Sequence, residues 1–196
     1  PSLAALWWAP ERGRRRIVAD RRDDAVPGAS FVQVNPAVAA LLADAVVATV
    51  GAHRPSHVVD AYAGAGDVAV RLALAGARVT AIEWDVEAAA HAGARLPAGS
   101  RAIAAAVEDA IDEALPADVV LVNPPRGGPA PRLPAALERR PPRALVYVSC
   151  DPATLARDLA RLPSFAVRRV QPFDMFPQTA HVETLVELVP ARPSSS

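Results

Sequence analysis

His57-Val58-Val59-Asp60-Ala61-Tyr62-Ala63-Gly64-Ala65-Gly66 is the stretch that decides the fold. A short apolar run reads as a buried strand, a glycine turn follows it, and helical spacing resumes from Asp67 to Ala75. Glycines let the backbone turn tightly and approach a ligand closely. Upstream, Pro36 stands at a first helical position, and Val38, Leu41, Leu42, Ala45 and Val46 recur on one face up to Gly51. Downstream, strands are expected at Arg78–Ile82, Arg101–Ala105, Asp118–Val122 and Ala144–Val148. Between and after them lie helices at Val86–Ala94, Asp109–Leu115, Leu133–Arg139 and Pro152–Leu162. Two last β-runs, near Phe165–Val170 and Val182–Val189, have no helix between them and are expected to pair antiparallel. The alternation predicts an α/β fold: a doubly wound, mostly parallel, seven-stranded sheet with an antiparallel last strand pair.

The chain has 196 residues, of which 52% are hydrophobic and 21% charged, enough for a packed core and against global disorder. No apolar run approaches the length of a transmembrane helix, and the N-terminus lacks a secretory layout, so a cytoplasmic protein without a membrane partner is expected. Cys150 is the one cysteine, which excludes an internal disulfide and an all-cysteine zinc or iron–sulfur site; no metal site is expected. Basic and acidic residues balance at 21 each, and every basic residue other than histidine is arginine. Arg12, Arg14, Arg15, Arg16, Arg21 and Arg22 crowd near the start, where they could follow a phosphate backbone, but Asp20, Asp23 and Asp24 offset part of that charge. Residues 1–30 read as a short segment of two strands and loops, the tail of a preceding domain; 31–190 form the main domain and 191–196 a disordered tail. Oligomeric state is not legible.

Three marks point to a nucleoside-type cofactor. The first is the turn with Gly64 and Gly66, which alone is weak, since a structural turn looks the same. A dinucleotide fingerprint would want a third glycine where Ala69 stands, and alanine is tolerated there. The second is Glu83, after the strand Val79-Thr80-Ala81-Ile82, where a carboxylate can accept both hydroxyls of a ribose. The third is Asn123-Pro124-Pro125-Arg126 at the end of the strand Val119–Val122: two prolines stiffen the turn and aim Asn123 at the site. An (Asp/Asn)-Pro-Pro turn there is similar to the motif of S-adenosylmethionine-dependent methyltransferases. Amine-methylating members usually carry an aromatic as the fourth residue; Arg126 argues against that substrate.

Cys150 stands between the strand Ala144–Val148 and the helix that opens at Pro152. A helix N-terminus is expected to lower a thiol pKa and favour the nucleophilic thiolate. A thiolate adding to carbon 6 of a pyrimidine makes carbon 5 nucleophilic, and a base must then remove the proton at carbon 5. Glu183, within Asp174-Met175-Phe176-Pro177-Gln178-Thr179-Ala180-His181-Val182-Glu183-Thr184, is the candidate base. Taken alone, Glu183 reads better as a surface strand residue, and His181 as a loop hydrogen-bonder.

Together these pieces resemble the uracil-C5 RNA methyltransferase family, which forms 5-methyluridine in tRNA and rRNA. The matching stretches are Phe31-Val32-Gln33-Val34-Asn35, Asp60 to Gly66, Asn123 to Arg126, Ser149-Cys150-Asp151-Pro152-Ala153-Thr154-Leu155-Ala156-Arg157-Asp158-Leu159, and Asp174 to Thr184. The resemblance covers residues 30–190 and implies a Rossmann-like methyltransferase sheet, S-adenosylmethionine as cofactor and tRNA or rRNA as partner. It implies Cys150 as nucleophile and Glu183 as base. Gln33, Tyr62, Gly64, Gly66, Asp67, Glu83 and Asn123 would line the cofactor, Asp109 would approach the adenine, and Phe31 and Arg126 would meet the target uracil. The sequence departs from the family at Ala63, usually cysteine, and at Asn123, commonly aspartate. The family's N-terminal RNA-binding barrel and cysteine-held iron–sulfur cluster have no counterpart in these residues, and Pro1 is not a start methionine, so a fragment is one expectation. Two rivals stand beside it: a cytosine-C5 methyltransferase, to which the Glu183 block bears no resemblance, and a non-catalytic cofactor-binding module associated with RNA.

Overall fold

A computed structural model describes residues 5–8, 16–20, 35–175, 179 and 182–191. Phe31, Gln33, His181 and all but the first residue of the tail expected at 191–196 lie outside the described residues. Two short strands, β1 (Ala5–Trp8) and β2 (Arg16–Asp20), pair antiparallel as a separate ribbon. The main body then alternates: α1 (Pro36–Ala52), β3 (His57–Ala61), α2 (Asp67–Leu74), β4 (Arg78–Glu83), α3 (Val86–Arg95), β5 (Arg101–Ala104), α4 (Val107–Ala114) and β6 (Val119–Val122). It continues with α5 (Arg132–Arg139), β7 (Ala144–Ser149), α6 (Pro152–Leu159), β8 (Phe165–Phe173) and β9 (Glu183–Pro190).

Caps fix the helix starts. The Asn35 side chain accepts from the Val38 amide at 3.3 Å ahead of Pro36, and Asp151 accepts from Thr154 at 2.7 Å ahead of Pro152. Asp85 accepts from the amides of Glu87 and Ala88 at the start of α3.

The sheet order is β5-β4-β3-β6-β7-β9-β8. Strands β3 to β7 are mutually parallel; β9 runs antiparallel to β7 on one side and β8 on the other. The seven-stranded sheet and its antiparallel last pair are therefore as the sequence predicts, with β9 inserted inside β8. Alternate residues of one strand enter opposite cores: Val59 and Ala61 pack with Ile111, Leu133, Leu137 and Leu155, while Val58 packs with Leu42, Val46 and Leu72. Burial on both faces is why these strands read as unbroken apolar runs.

Most boundaries fall within two residues of expectation, and two lie further off. The last helix stops at Leu159 rather than Leu162, and Leu162 enters the core from a turn. β8 runs on to Phe173 through Pro172, which its place at the sheet edge permits, because no neighbour waits for the missing amide proton.

Candidate active site

The sheet order reverses direction at β3 and β6, so the loops after these strands face each other across the topological switch point. At the end of β3 the backbone enters the left-handed region at Tyr62 (φ 64°) and returns to it at Gly64 and Gly66. Gly66 is irreplaceable on steric grounds: a Cβ there would strike the Cβ of Ala92 on α3. Glu83 closes the turn from the next strand, its two carboxylate oxygens accepting from the amides of Gly64 and Asp85, both at 2.9 Å. The same carboxylate that the sequence assigns to a ribose therefore also shapes the glycine turn. Trp84, the next residue, leaves 68% of its surface exposed beside it.

Asp60 is absent from the residues that sequence reasoning singles out, and it is the most unusual group in the site. It is 2% exposed, and its Oδ2 has no hydrogen-bond partner. Burial, reinforced by the charge of Glu83, pushes its pKa up from 3.8 to about 7. A lone acid in the strand His57–Ala61, directly ahead of a glycine turn, is the signal that could have found it.

The other expected cofactor residues differ in their partners. The Tyr62 hydroxyl donates to Glu108 at 2.6 Å, and Glu108 also accepts from the Ala130 amide. Burial and this bond raise the Tyr62 pKa; burial also pushes Glu108 upward, but the bonds from Tyr62 and Ala130 outweigh it and hold Glu108 low. Asp67 is exposed and ion-paired with Arg95 at 2.7 Å, and Asp109 pairs with Arg132 at 3.2 Å. Asn123 is exposed at the mouth of the switch point, its amide tied to the Ala61 carbonyl at 3.3 Å.

The thiol and the carboxylate meet through strand register. β7 and β9 pair Ser149 with Thr184, so one step further along the antiparallel ladder Cys150 stands beside Glu183. Glu183 is buried and Cys150 half-buried, and both feel the guanidinium of Arg126 from the loop after β6. Burial raises the thiol pKa, and the Glu183 charge raises it further; the charge and hydrogen bond of Arg126 pull it back down. The net direction is upward, the reverse of what the helix N-terminus predicts, because burial and a neighbouring carboxylate outweigh Arg126 and a backbone hydrogen bond. Burial likewise raises Glu183, again opposed by Arg126. A thiol, a carboxylate of raised pKa and a guanidinium that opposes both shifts thus stand together, an arrangement chemically able to supply a nucleophile, a base and a stabilising cation.

Residues 105–190 match the family described as tRNA (Uracil-5-)-methyltransferase. A 23S rRNA (uracil(747)-C(5))-methyltransferase of Vibrio vulnificus is 40% identical over 167 residues, covering 82% of this chain and 44% of that protein. Over most of its length the chain is similar to uracil-C5 RNA methyltransferases. An uncharacterized RNA methyltransferase of Thermotoga maritima is 38% identical over 171 residues, 84% of this chain and 39% of its own length. Among solved structures, the Pyrococcus abyssi tRNA (uracil-54, C5)-methyltransferase in complex with S-adenosyl-L-homocysteine superposes with a TM-score of 0.71 at 28% identity, over 95% of this chain and 45% of that one. The N-methyltransferase NodS of Bradyrhizobium japonicum shares the fold alone, at 14% identity and a TM-score of 0.67, over 87% of this chain and 94% of that one. The chain spans less than half the length of these two curated relatives. Among its described residues no helix is long and apolar enough to cross a membrane.

Proposed function

We propose that this chain is the catalytic part of an enzyme that transfers a methyl group from S-adenosylmethionine to carbon 5 of a uridine in tRNA or rRNA, through a covalent adduct between Cys150 and the uracil. The observation that carries this reading is the β7–β9 register, which sets Cys150 beside Glu183 with Arg126 against both. The names of the family relatives support the substrate class. Acting on such RNA assigns the protein to the cytoplasm. Residues 31–190 are the methyltransferase domain, and the ribbon of β1 and β2 belongs to what precedes it.

The residues fit the cofactor. Glu83 can accept ribose hydroxyls, and the turn of Gly64 and Gly66 lets a ligand approach the backbone. Asp60 has a buried carboxylate oxygen with no partner, suited to the ammonium of an amino-acid arm. Gln33, Tyr62, Asp67 and Asn123 complete the expected lining. When bound, S-adenosylmethionine supplies an electrophilic methyl group on a sulfonium sulfur.

Cys150 Sγ, as thiolate, bonds to carbon 6 of the uracil, and the carbon 5–carbon 6 pair moves out toward the carbonyl at carbon 4. Arg126 stabilises the sulfur anion before attack. Carbon 5 then carries the nucleophilic pair and takes the methyl. Glu183 removes the remaining proton at carbon 5; that electron pair re-forms the carbon 5–carbon 6 double bond and expels the Cys150 thiolate. The raised pKa of Glu183 suits a base that must accept a proton near neutrality. Phe31 is assigned to stack on the target base.

The test is an intact-mass measurement on the protein incubated with S-adenosylmethionine and a short RNA containing 5-fluorouracil. Fluorine cannot leave as a cation, so a methylated covalent adduct is expected, and it disappears in Cys150→Ala. An adduct that persists without the thiol removes Cys150 from the reaction.

A further inference from the structure

The family chemistry leaves one buried cluster unused. Asp158, on α6, is 1% exposed. Its carboxylate accepts from the Tyr147 hydroxyl at 2.9 Å, from Nε and Nη2 of Arg157 at 3.0 and 2.8 Å, and from Arg161 at 3.3 Å. Tyr147 lies on β7, the strand that ends just ahead of Cys150. The Arg157 Nη2 also donates to the carbonyl of Gly127 at 2.7 Å, one residue past Arg126. Gly128 then sits at φ 75°, seated so closely that a Cβ would overlap Asp158 Oδ2 and Arg157 Nη2. The loop after β6 is also held by the Asn123 amide at its start, a turn from Gly128 to Pro125 and the Ala130 amide on Glu108.

A planar guanidinium with two bonds to a buried carboxylate and one to a loop carbonyl is a rigid bracket, since its orientation is fixed before the loop arrives. The loop carries a single cation between its two prolines and this anchor: Arg126, exposed on its own and without a carboxylate bridge among the described residues.

We propose that Arg157 and Asp158 form a clamp that positions Arg126 against Cys150 and Glu183, so that these two residues of α6 act as positioning residues for the nucleophile. This rests on the reading of Cys150 as nucleophile and deepens it. The charged groups that face the thiol are Glu183 from β9 and Arg126 from the loop, which act in opposite directions. Loosening the clamp removes the influence of Arg126 and leaves that of Glu183.

Cys150 is the one cysteine, so its alkylation by iodoacetamide, followed against pH by intact mass, reads its ionisation without RNA or cofactor. In Arg126→Ala the midpoint is expected to rise by about one pH unit. Arg157→Ala is expected to rise similarly; it lowers the melting temperature by uncovering buried Asp158, while S-adenosylhomocysteine affinity stays near the parent's and reports an intact fold. The double variant is expected to show no further rise, because both changes remove one interaction. Gly128→Ala, which displaces the clamp from the loop side, is expected to move the midpoint in the same direction. A normal profile in Arg157→Ala and Gly128→Ala beside a shifted Arg126→Ala overturns the clamp alone. Additive shifts in the double variant overturn it too. An unshifted Arg126→Ala overturns the underlying site reading together with the clamp.

Discussion

Replacing Asp60 by asparagine separates the cost of a buried charge from its use. In the unfolded chain Asp60 ionises at its ordinary 3.8; folded, it holds its proton to about 7. A raised folded pKa favours the native state fully below the lower value, and this contribution is lost as pH climbs through the upper one. The separation of about three pH units, at about 1.4 kcal/mol each, makes the ionised Asp60 a burden of about 4 kcal/mol at about pH 8. The substituted side chain would remove that burden but leave its own amide unpaired in the same place, at about 1–3 kcal/mol. Asp60→Asn is therefore expected to match or fall below the parent in stability at about pH 4, and to exceed it by about 1–3 kcal/mol at about pH 8. Urea unfolding of both proteins across that range measures the difference directly. Other titrating groups, such as Glu183 and His57, are common to both and cancel. The same substitution is expected to weaken S-adenosylhomocysteine binding at least about tenfold at about pH 8, since a charge-assisted bond is lost. In the parent, that affinity should strengthen as pH rises through about 7 and Asp60 ionises. A stability difference that stays flat with pH would refute the buried-charge argument, and an unchanged affinity would remove Asp60 from the cofactor.

Cys150→Ala should abolish methyl transfer while leaving cofactor affinity, read by calorimetry, within about twofold, because truncating the thiol touches none of the cofactor-binding groups. Glu183→Gln should accumulate a protein–RNA adduct on gel or by mass, as thiol release needs the base, and should lower the pH at which Cys150 is alkylated by removing the carboxylate that raises it. Normal turnover in that variant excludes Glu183 from the mechanism. Gly66→Ala should lower stability by about 2–4 kcal/mol, combining a left-handed backbone with overlap at Ala92, read as a lower urea midpoint.

Much of this was legible because parallel strands buried on both faces leave apolar runs that punctuation separates cleanly. The glycine turn after Ala61 and the acid at the end of β4 both carry their meaning in one dimension. The antiparallel final pair followed from the lack of a helical pattern in the sequence between the last two β-runs. What stayed hidden depends on partners. That Asp60 keeps an oxygen unpaired is a property of its surroundings, not of its type. The bond from Tyr62 to Glu108 joins residues from different loops and helices. The direction of the thiol shift is invisible to local reasoning, which sees only the helix after Cys150; burial and a carboxylate from a later strand set it instead. Asp67 and Asp109, placed near the cofactor by resemblance, are engaged with Arg95 and Arg132 on exposed faces.

The insertion of β9 between β7 and β8 also orders events in time. Among the described residues β8 pairs with no strand but β9, so it has no seat in the sheet until that partner docks. The groups assigned to the cofactor are all supplied by residues that leave the ribosome earlier. Chain order thus puts every group assigned to the cofactor ahead of the carboxylate assigned as base, which takes its place beside Cys150 only when the last strand docks.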